Sequence, residues 1–277
     1  MPRIGLIHPG AMGASVGAAA RGNGHNVLWA SRGRSESTYA RARKANLEDA
    51  GTVSELVKAS DIVLSVCPPH AAGDVASEVL QLGFTGVYVD GNAISPDRTR
   101  EVQRIVEKGG AHYVDGGIIG GPAWTREAGT RLYLSGPRAE EVAACFAGSP
   151  LETPVISDRI GAASAIKMGY AAYTKGTTAL LTAILGMVEK EGVREDLARQ
   201  WGDTFTDQTV RRVCANTAKA WRFEGEMHEI AATFRGAGLP GGFHQAAAEV
   251  YERLADFKDQ SEPPDIASVL EALLKGE

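Results

Sequence analysis

The first thirty-five residues constrain the fold of this chain more than any other segment. An apolar run, Ile4-Gly5-Leu6-Ile7, passes through His8 and Pro9 into Gly10-Ala11-Met12-Gly13 and an Ala-rich stretch to Arg21; a second apolar run, Val27 to Ala30, then ends in Ser31-Arg32-Gly33-Arg34-Ser35. Strand, glycine turn, helix and second strand at this spacing make a dinucleotide-binding βαβ unit. Gly10 lets the backbone approach a pyrophosphate, Gly13 lets the helix pack close to the strand, and the amides at the helix start, from Ala11 and Met12 onward, face the anion. His8 occupies the first glycine position of the G-x-G-x-x-G pattern, with Pro9 after it. A glycine pattern alone is also compatible with an ordinary strand-to-helix turn; the flanking strand, helix and strand favour the nucleotide site. The second cluster selects the cofactor. Where an acidic residue would hold a ribose 2′-hydroxyl, Ser31, Arg32 and Arg34 offer a hydroxyl and two guanidinium forks suited to a 2′-phosphate, so NADP is expected.

The 277 residues suffice for two domains. With 29 basic against 34 acidic residues the formal charge is −5, so no broad basic field recruits nucleic acid or anionic lipid. Cys67, Cys145 and Cys214 are odd in number and widely spaced, which suits reduced thiols rather than a disulfide framework or a zinc site. The chain enters a strand almost at once without a charged leader, and its most apolar long stretch, Ala179 to Val188, is too short to span a bilayer. A cytoplasmic protein without a membrane partner is the expectation.

From residue 1 to 157, β-rich runs alternate with helical stretches: Arg3-Ile7, Asn26-Ala30, Asp61-Cys67, Gly86-Asp90, His112-Asp115, Thr130-Ser135 and Thr153-Ile156. This alternation predicts an α/β domain with a doubly wound, mostly parallel sheet. His8-Gly10, Ser31-Arg34, Cys67-Pro69 and Asn92 each follow a strand, on the edge where open α/β sheets bind ligands. Residues 158–277 read as a second, all-helical domain, with helices at about 160–191, 195–219, 223–237, 242–260 and 265–275. The first, roughly 45 Å long at 1.5 Å per residue, is weakened by Gly161, Gly169, Gly176 and Gly186.

Four motifs in order resemble the β-hydroxyacid dehydrogenase and 6-phosphogluconate dehydrogenase family: Gly5-Leu6-Ile7-His8-Pro9-Gly10-Ala11-Met12-Gly13, Val89-Asp90-Gly91-Asn92, Asp115-Gly116-Gly117-Ile118-Ile119-Gly120-Gly121, and Gly161 with Lys167. The resemblance implies a nicotinamide-binding Rossmann domain, a long interdomain helix, a helical dimerisation domain and a catalytic cleft between the two. It also implies that Lys167 is the catalytic lysine, acting as general acid in carbonyl reduction and general base in alcohol oxidation. Three departures mark a divergent branch. His8 replaces the first fingerprint glycine, Ile119 the substrate-binding serine, and Ala171 the asparagine four residues after the lysine. Two polar substrate handles are therefore missing, which points to a more apolar substrate.

Other positions carry paired readings. Asn92 can bridge the nicotinamide and the substrate, or serve only an Asx turn. Cys67, Pro68 and Pro69 form the loop on the nicotinamide side, the prolines fixing its backbone and the thiol packing. Gly120 and Gly121 offer backbone amides to a substrate anion in place of the missing serine, or make a flexible turn. Tyr170 and Tyr173 sit at helical spacing after Lys167, and Tyr170 can present a phenol to substrate, although such aromatics usually pack. Glu226, His228 and Glu229 lack the spacing of a metal helix, so no metal is expected. His244, after Gly241-Gly242, is retained as a substrate contact.

Together these features predict an NADP-dependent oxidoreductase that interconverts a small hydroxy compound and its carbonyl, as a homodimer. Imine reduction on the same scaffold is an alternative, opposed by the retained Lys167. A non-catalytic NADP-binding sensor is an alternative of another class.

Overall fold

Ile62-Val63-Leu64 and Val87-Tyr88-Val89 are buried at every position, the pattern of parallel strands covered by helices on both faces. In the computed structural model, which describes residues 1–258, 260 and 262–275, such runs form β1 (Ile4–Leu6), β2 (Val27–Trp29), β3 (Glu48–Asp49), β4 (Ile62–Ser65), β5 (Val87–Asp90), β6 (His112–Ile119), β7 (Arg131–Ser135) and β8 (Val155–Ser157). They make one sheet in the order β3-β2-β1-β4-β5-β6-β7-β8. The strands from β3 to β6 are parallel, β7 runs antiparallel to β6, and β8 is parallel to β7.

Helices α1 (Ala11–Gly22), α2 (Glu36–Lys44), α3 (Val53–Ala59), α4 (Ala72–Gln81), α5 (Pro96–Lys108) and α6 (Ala139–Ala144) connect them. Strand alternation divides the core. Ile4, Leu6, Ile62, Leu64, Val87 and Val89 join Val16 and Phe146 on one face, while Val63, Tyr88 and Tyr113 join Leu56, Ala76 and Val102 on the other. Each strand thus buries both sides, which explains its continuous hydrophobicity. The topology reverses between β1 and β4, opening a crevice at the carboxyl ends of the parallel strands.

A first compact unit spans Met1–Met168 and a second Gly169–Glu277. The division falls inside α7 (Ala162–Ala171), later than the boundary after residue 157 expected from the sequence. Residues 158–168 belong with the sheet because Asp115 of β6 and Ser135 of β7 bond the first turn of α7.

The second unit is helical: α8 (Thr177–Lys190), α9 (Arg194–Trp201), α10 (Asp203–Thr217), α11 (Ala220–Gly236), α12 (Gly242–Glu252) and α13 (Ile266–Leu274). Leu185, Val213, Phe223, Met227, Ile230, Tyr251, Val269 and Leu270 are buried. The helices depart from the sequence expectation at three places. The first long helix is interrupted by a π-helical turn, Ala172–Gly176. The expected 195–219 helix is cut by Gly202 at φ +76°. The expected 242–260 helix ends at Glu252 and gives way to a short 3₁₀ turn, Ala255–Phe257. Among the described residues no helix is long and apolar enough to cross a membrane.

Candidate functional site

The glycine loop has the construction its sequence demands. A β-carbon on Gly13 would lie 2.4 Å from the His8 carbonyl oxygen, so only glycine lets α1 pack this closely on the loop after β1. At Gly10 a β-carbon would meet nothing within 4 Å; its side of the loop is open to an incoming group. No side chain caps α1, so its first amides are available to an anion. Arg41 of α2 braces the loop by donating from Nε to the Pro9 carbonyl at 3.1 Å. His8 extends the site toward the second loop. Burial, with the nearby Arg34 charge adding to it, lowers the His8 imidazole to about 4, so the ring is neutral at physiological pH. His8 Nδ1 and Arg34 Nε are buried without hydrogen-bond partners, as expected of groups that meet a ligand.

Around Arg34, the loop after β2 is held by backbone bonds. Arg34 N donates to Ser31 O at 3.1 Å, Arg32 N donates to Gly51 O at 2.9 Å, and the Tyr39 hydroxyl donates to Ser31 O. Ser31 is buried and Arg32 exposed. Ser35 caps α2 through Thr38 N. The open glycine loop, the uncapped helix and the two arginines fit a dinucleotide.

The loops after β4 and β5 are tied together. Asn92 is buried; its Oδ1 accepts from Cys67 N at 2.6 Å, its Nδ2 donates to Ser65 Oγ at 3.3 Å, and its own N–H donates to Asp90 Oδ1 at 2.9 Å. Its carboxamide thus fixes the Cys67 loop. Pro68 precedes a short 3₁₀ turn, Pro69–Ala71, whose His70 carbonyl accepts from Arg98 Nη2 of α5. Burial pushes the Cys67 thiol up to about 11, so it remains protonated and packs.

Lys167 is seated by Asp115 and Gly117. Asp115 Oδ2 accepts from Gly161 N, Ser164 N and Ser135 Oγ, and Oδ1 accepts from Ser164 Oγ. Ser135 Oγ also accepts from Ala163 N, and Ser164 Oγ meets Thr99 Oγ1 of α5 at 2.7 Å. A buried carboxylate thereby anchors the amides and dipole of the first turn of α7. Two residues along β6 on the same face, a β-carbon on Gly117 would lie 2.4 Å from Ala163 O and 3.1 Å from Lys167 Cβ. Lys167, half-buried, is therefore held against β6 near its carboxyl end, on the same sheet edge as the glycine loop and Asn92.

Ile119 is half-buried on the Gly117 face of β6. Gly120 adopts φ +118°, and a β-carbon there would press on Thr130 Cα at 2.9 Å; Gly121 is open and its carbonyl accepts from Thr130 Oγ1. Ala123 N donates to Ser15 Oγ, which ties this loop to α1.

In the second unit, Tyr170 and Tyr173 are exposed. His244 is buried in edge contact with the rings of Phe234 and Phe243, beside Gly176. The π-helical turn frees carbonyls that side chains recapture: Arg212 Nη2 donates to Thr174 O and the Tyr251 hydroxyl to Lys175 O. Lys175 pairs with Glu226 and lies over the Phe223 ring. Burial lowers its ammonium group from the usual range, and Glu226 opposes that shift. Glu226 thus has an ion-pair partner, and His228 faces Glu224 at 3.7 Å. Among the described residues no cluster of His, Cys, Asp and Glu could hold a metal ion.

Sequence reasoning did not single out Arg41, Asp90 or Asp115 as individual residues. Both aspartates stood inside motifs it quoted; Arg41, on the helix that follows the arginine loop, carried no sequence signal.

Comparison with known proteins supplies a family. Residues 3–146 match the NAD binding domain of 6-phosphogluconate dehydrogenase, and residues 188–254 match a domain of unknown function, DUF1932. An "Uncharacterized 28.5 kDa protein in 7S RNA 5'region" of Methanothermus fervidus is 30% identical over 204 residues, covering 72% of this chain and 78% of that protein. Among solved structures, a conserved protein of unknown function, described as structurally similar to 3-hydroxyacid dehydrogenases, aligns at TM-score 0.65 and 28% identity over 92% of this chain and 97% of that one. The 3-hydroxyisobutyrate dehydrogenase of Mycobacterium tuberculosis, solved with L-serine, shares the fold at TM-score 0.68 and 19% identity, covering 99% of both chains.

Proposed function

The chain belongs to the family of the NAD binding domain of 6-phosphogluconate dehydrogenase, and from that premise we propose that it is an NADP-dependent oxidoreductase acting on a small hydroxy or carbonyl compound, with Lys167 as general acid and base. The observation that carries the reading is the company Lys167 keeps. Gly117 and Asp115 seat its helix on β6, at the sheet edge that also bears the open Gly10 loop, the Arg32 and Arg34 loop and Asn92. When bound there, the nicotinamide supplies or accepts a hydride.

The residues of the chain do the remainder. The amides of α1 and the Gly10 loop hold the pyrophosphate, and Arg32 and Arg34 face the 2′-phosphate. Asn92 fixes the Cys67-Pro68-Pro69 loop that bounds the nicotinamide side. Lys167 Nζ gives a proton to the carbonyl oxygen during reduction and takes it from the hydroxyl during oxidation. Gly120 and Gly121 admit substrate to the backbone, while Ile119 presents a hydrocarbon surface that favours substrates with an apolar end. A homodimer is proposed from the exposed Leu180, Met187, Phe205 and Leu239 of the second unit; a sedimentation velocity run giving only monomer would remove it.

The test is a fluorescence titration with NADPH and NADH, followed by a screen of aldehydes, ketones and cyclic imines. NADPH is expected to bind at least ~10-fold more tightly, and R32A with R34A to abolish that preference. K167M is expected to lose ~10²-fold or more in carbonyl turnover while NADPH affinity persists. Equal affinity for the two cofactors overturns the phosphate assignment, and K167M with full turnover overturns the role of the lysine. NADPH binding with no turnover of any candidate favours a sensor.

A further inference from the structure

The fold makes no use of the ring that stands at position 8. The His8 carbonyl accepts from Gly10 N at 2.8 Å and forms the surface on which Gly13 packs. Asn46 is the only described residue other than glycine with a positive φ, so the backbone at position 8 suits any side chain. The imidazole is therefore a choice of side chain and not of backbone. Its Nδ1 is buried with no hydrogen bond, and so is Nε of Arg34. Both atoms are costly until a partner completes them.

Sheet register brings the two residues to neighbouring loops. β1 and β2 are parallel, with Leu6 opposite Trp29; His8 and Ser31, each two residues further on, open loops that lie side by side at the carboxyl ends of these strands. Ser31 O accepts from Arg34 N and closes the second loop into a tight turn. Arg41 ties the loops together: its Nε donates to Pro9 O, its Nη2 donates to Thr38 Oγ1, and Thr38 Oγ1 meets Ser35 Oγ at 3.1 Å. The glycine loop and the arginine loop thus form one braced edge, and the Arg34 charge acts on the His8 ring across it.

The chemistry of the two orphan atoms selects what completes them. Arg34 Nε only donates, and a neutral imidazole carries one N–H and one acceptor nitrogen. The ring takes no bond from Arg34 Nε, so a group that serves both residues must accept, and beside a guanidinium the favoured acceptor is an oxyanion. Both residues are half-buried, so each side chain reaches the surface and an incoming group. The amides of α1 and the open side of Gly10 serve a pyrophosphate; the loop after β2 is where a dinucleotide fold places the adenosine ribose. The oxyanion between His8 and Arg34 is then a phosphate monoester on that ribose.

We propose that His8 is a specificity-determining residue for the cofactor: its imidazole N–H donates to the 2′-phosphate of NADP, which the glycine loop and the arginine loop grip from two sides. The inference rests on the NADP reading above.

The experiment titrates wild type, H8G, H8F and H8N with NADPH and NADH, and with adenosine 2′,5′-bisphosphate and AMP, which lack the nicotinamide. Melting midpoints check that each variant is folded. H8G and H8F are expected to lose about tenfold in affinity for NADPH and the bisphosphate, the worth of one hydrogen bond to a charged group, while NADH and AMP change by less than about twofold. H8N, whose amide N–H stands near the place of Nδ1, is expected to keep most of the wild-type affinity. In wild type, the imidazole ¹⁵N resonance that H8G lacks is expected to shift with the bisphosphate and not with AMP. Equal losses for NADPH and NADH would place the ring on a part common to both cofactors and overturn the proposal. H8F binding as wild type does would overturn the role of the N–H. If R34A removes a wild-type preference for NADPH that H8G retains, the His8 proposal fails and the cofactor reading stands; if wild type binds NADH as tightly as NADPH, the cofactor reading fails and the proposal with it. Where a variant does not fold, the other two and the wild-type imidazole shifts decide.

Discussion

Replacing Gly117 by alanine tests the seating of Lys167 directly. The new β-carbon would lie 2.4 Å from the Ala163 carbonyl oxygen and 3.1 Å from Lys167 Cβ, whereas unstrained heavy-atom contacts lie near ~3.5 Å. Relief requires α7 to withdraw from β6 by about 1 Å. Withdrawal as a rigid body would stretch the bonds from Gly161 N and Ser164 N to Asp115, now 3.0 and 3.1 Å, to about 4 Å, beyond hydrogen-bonding range. Overpacking costs about 1–3 kcal/mol, and weakening bonds to a buried carboxylate adds on the order of 1–2 kcal/mol. The sum, about 3 kcal/mol, lowers a melting midpoint by roughly 6–12 °C for a unit of this size. A 1 Å displacement of a catalytic group costs ~10²-fold in rate, while NADPH affinity, set mainly at α1, should change little. Thermal melts, NADPH titration and single-turnover rates on G117A read all three quantities. The control is G169A, also on α7, where a β-carbon meets nothing within 4 Å; there the gain in helix propensity should be neutral or stabilising by about 0.5–1 kcal/mol. A G117A protein as stable and as active as wild type would refute the seating argument; one destabilised but fully active would refute its catalytic half.

Gly10 and Gly13 should separate binding from folding. G10A is expected to keep its melting midpoint and lose NADPH affinity by at least ~10-fold, because its β-carbon fills the open side of the loop, whereas G13A should lose about 1–3 kcal/mol of stability through contact with the His8 carbonyl; equal stabilities in urea would contradict the distinction. E226Q strands the buried Lys175 ammonium and should cost about 3 kcal/mol in denaturant titrations, with K175M costing clearly less; the reverse ranking would mean the pair is not what holds the π-helical turn. Asp90 also predicts a pH dependence of stability. Its carboxyl binds a proton more tightly folded, at about 7 against 3.8, so its contribution is fully present below the unfolded value and is lost as pH rises through about 7, by up to about 4 kcal/mol. Relative to wild type, D90N should therefore gain stability from pH 4 to pH 8; a constant difference between their urea midpoints would contradict this.

The sheet unit was legible in the sequence because its signals are local. β1, the glycine loop, α1 and β2 follow one another within thirty residues, and each depends on residues that declare their role by type. What escaped depends on partners far along the chain. Glu48–Asp49 is an exposed two-residue strand whose existence rests on pairing with β2, with no apolar pattern to reveal it. His112-Asp115 read as a short strand because Gly116 and Gly117 resemble a turn, yet β6 continues to Ile119; Gly117 is needed because a helix forty-six residues later lies against it. Asp115 and Asp90 stand in quoted motifs, but only cross-strand register and the amides of α7 distinguish the carboxylate that caps a helix from the one that holds a loop. In the second unit, Gly202 had the composition of a break but sits inside an otherwise continuous helical pattern. The π-helical turn has no sequence signature apart from the side chains, Arg212 and Tyr251, that return to its carbonyls.

The three departures from the family pattern do not weaken the fold at the positions where they fall. His8 is accommodated because the loop uses its carbonyl, not its side chain, as the floor on which Gly13 packs; the ring is left to reach toward Arg34, neutral and with Nδ1 unpartnered. Glycine at that position would remove the ring without disturbing the floor, so on the proposed reading the imidazole is an addition to the cofactor site rather than a repair of it. Ile119 and Ala171 are subtractions. By the family resemblance each puts hydrocarbon where a polar handle would stand, and the half-buried Ile119 lies on the face of β6 against which Lys167 is held. A substrate anion placed there would find the lysine and the open Gly121 loop but no neutral hydroxyl from β6, and an unpaired carboxylate oxygen in such surroundings is costly. A carbonyl with an apolar flank loses nothing by the exchange, so a substrate series running from carboxylate-bearing to alkyl ketones should be ranked by Ile119, and I119S should tilt that ranking back toward the acids.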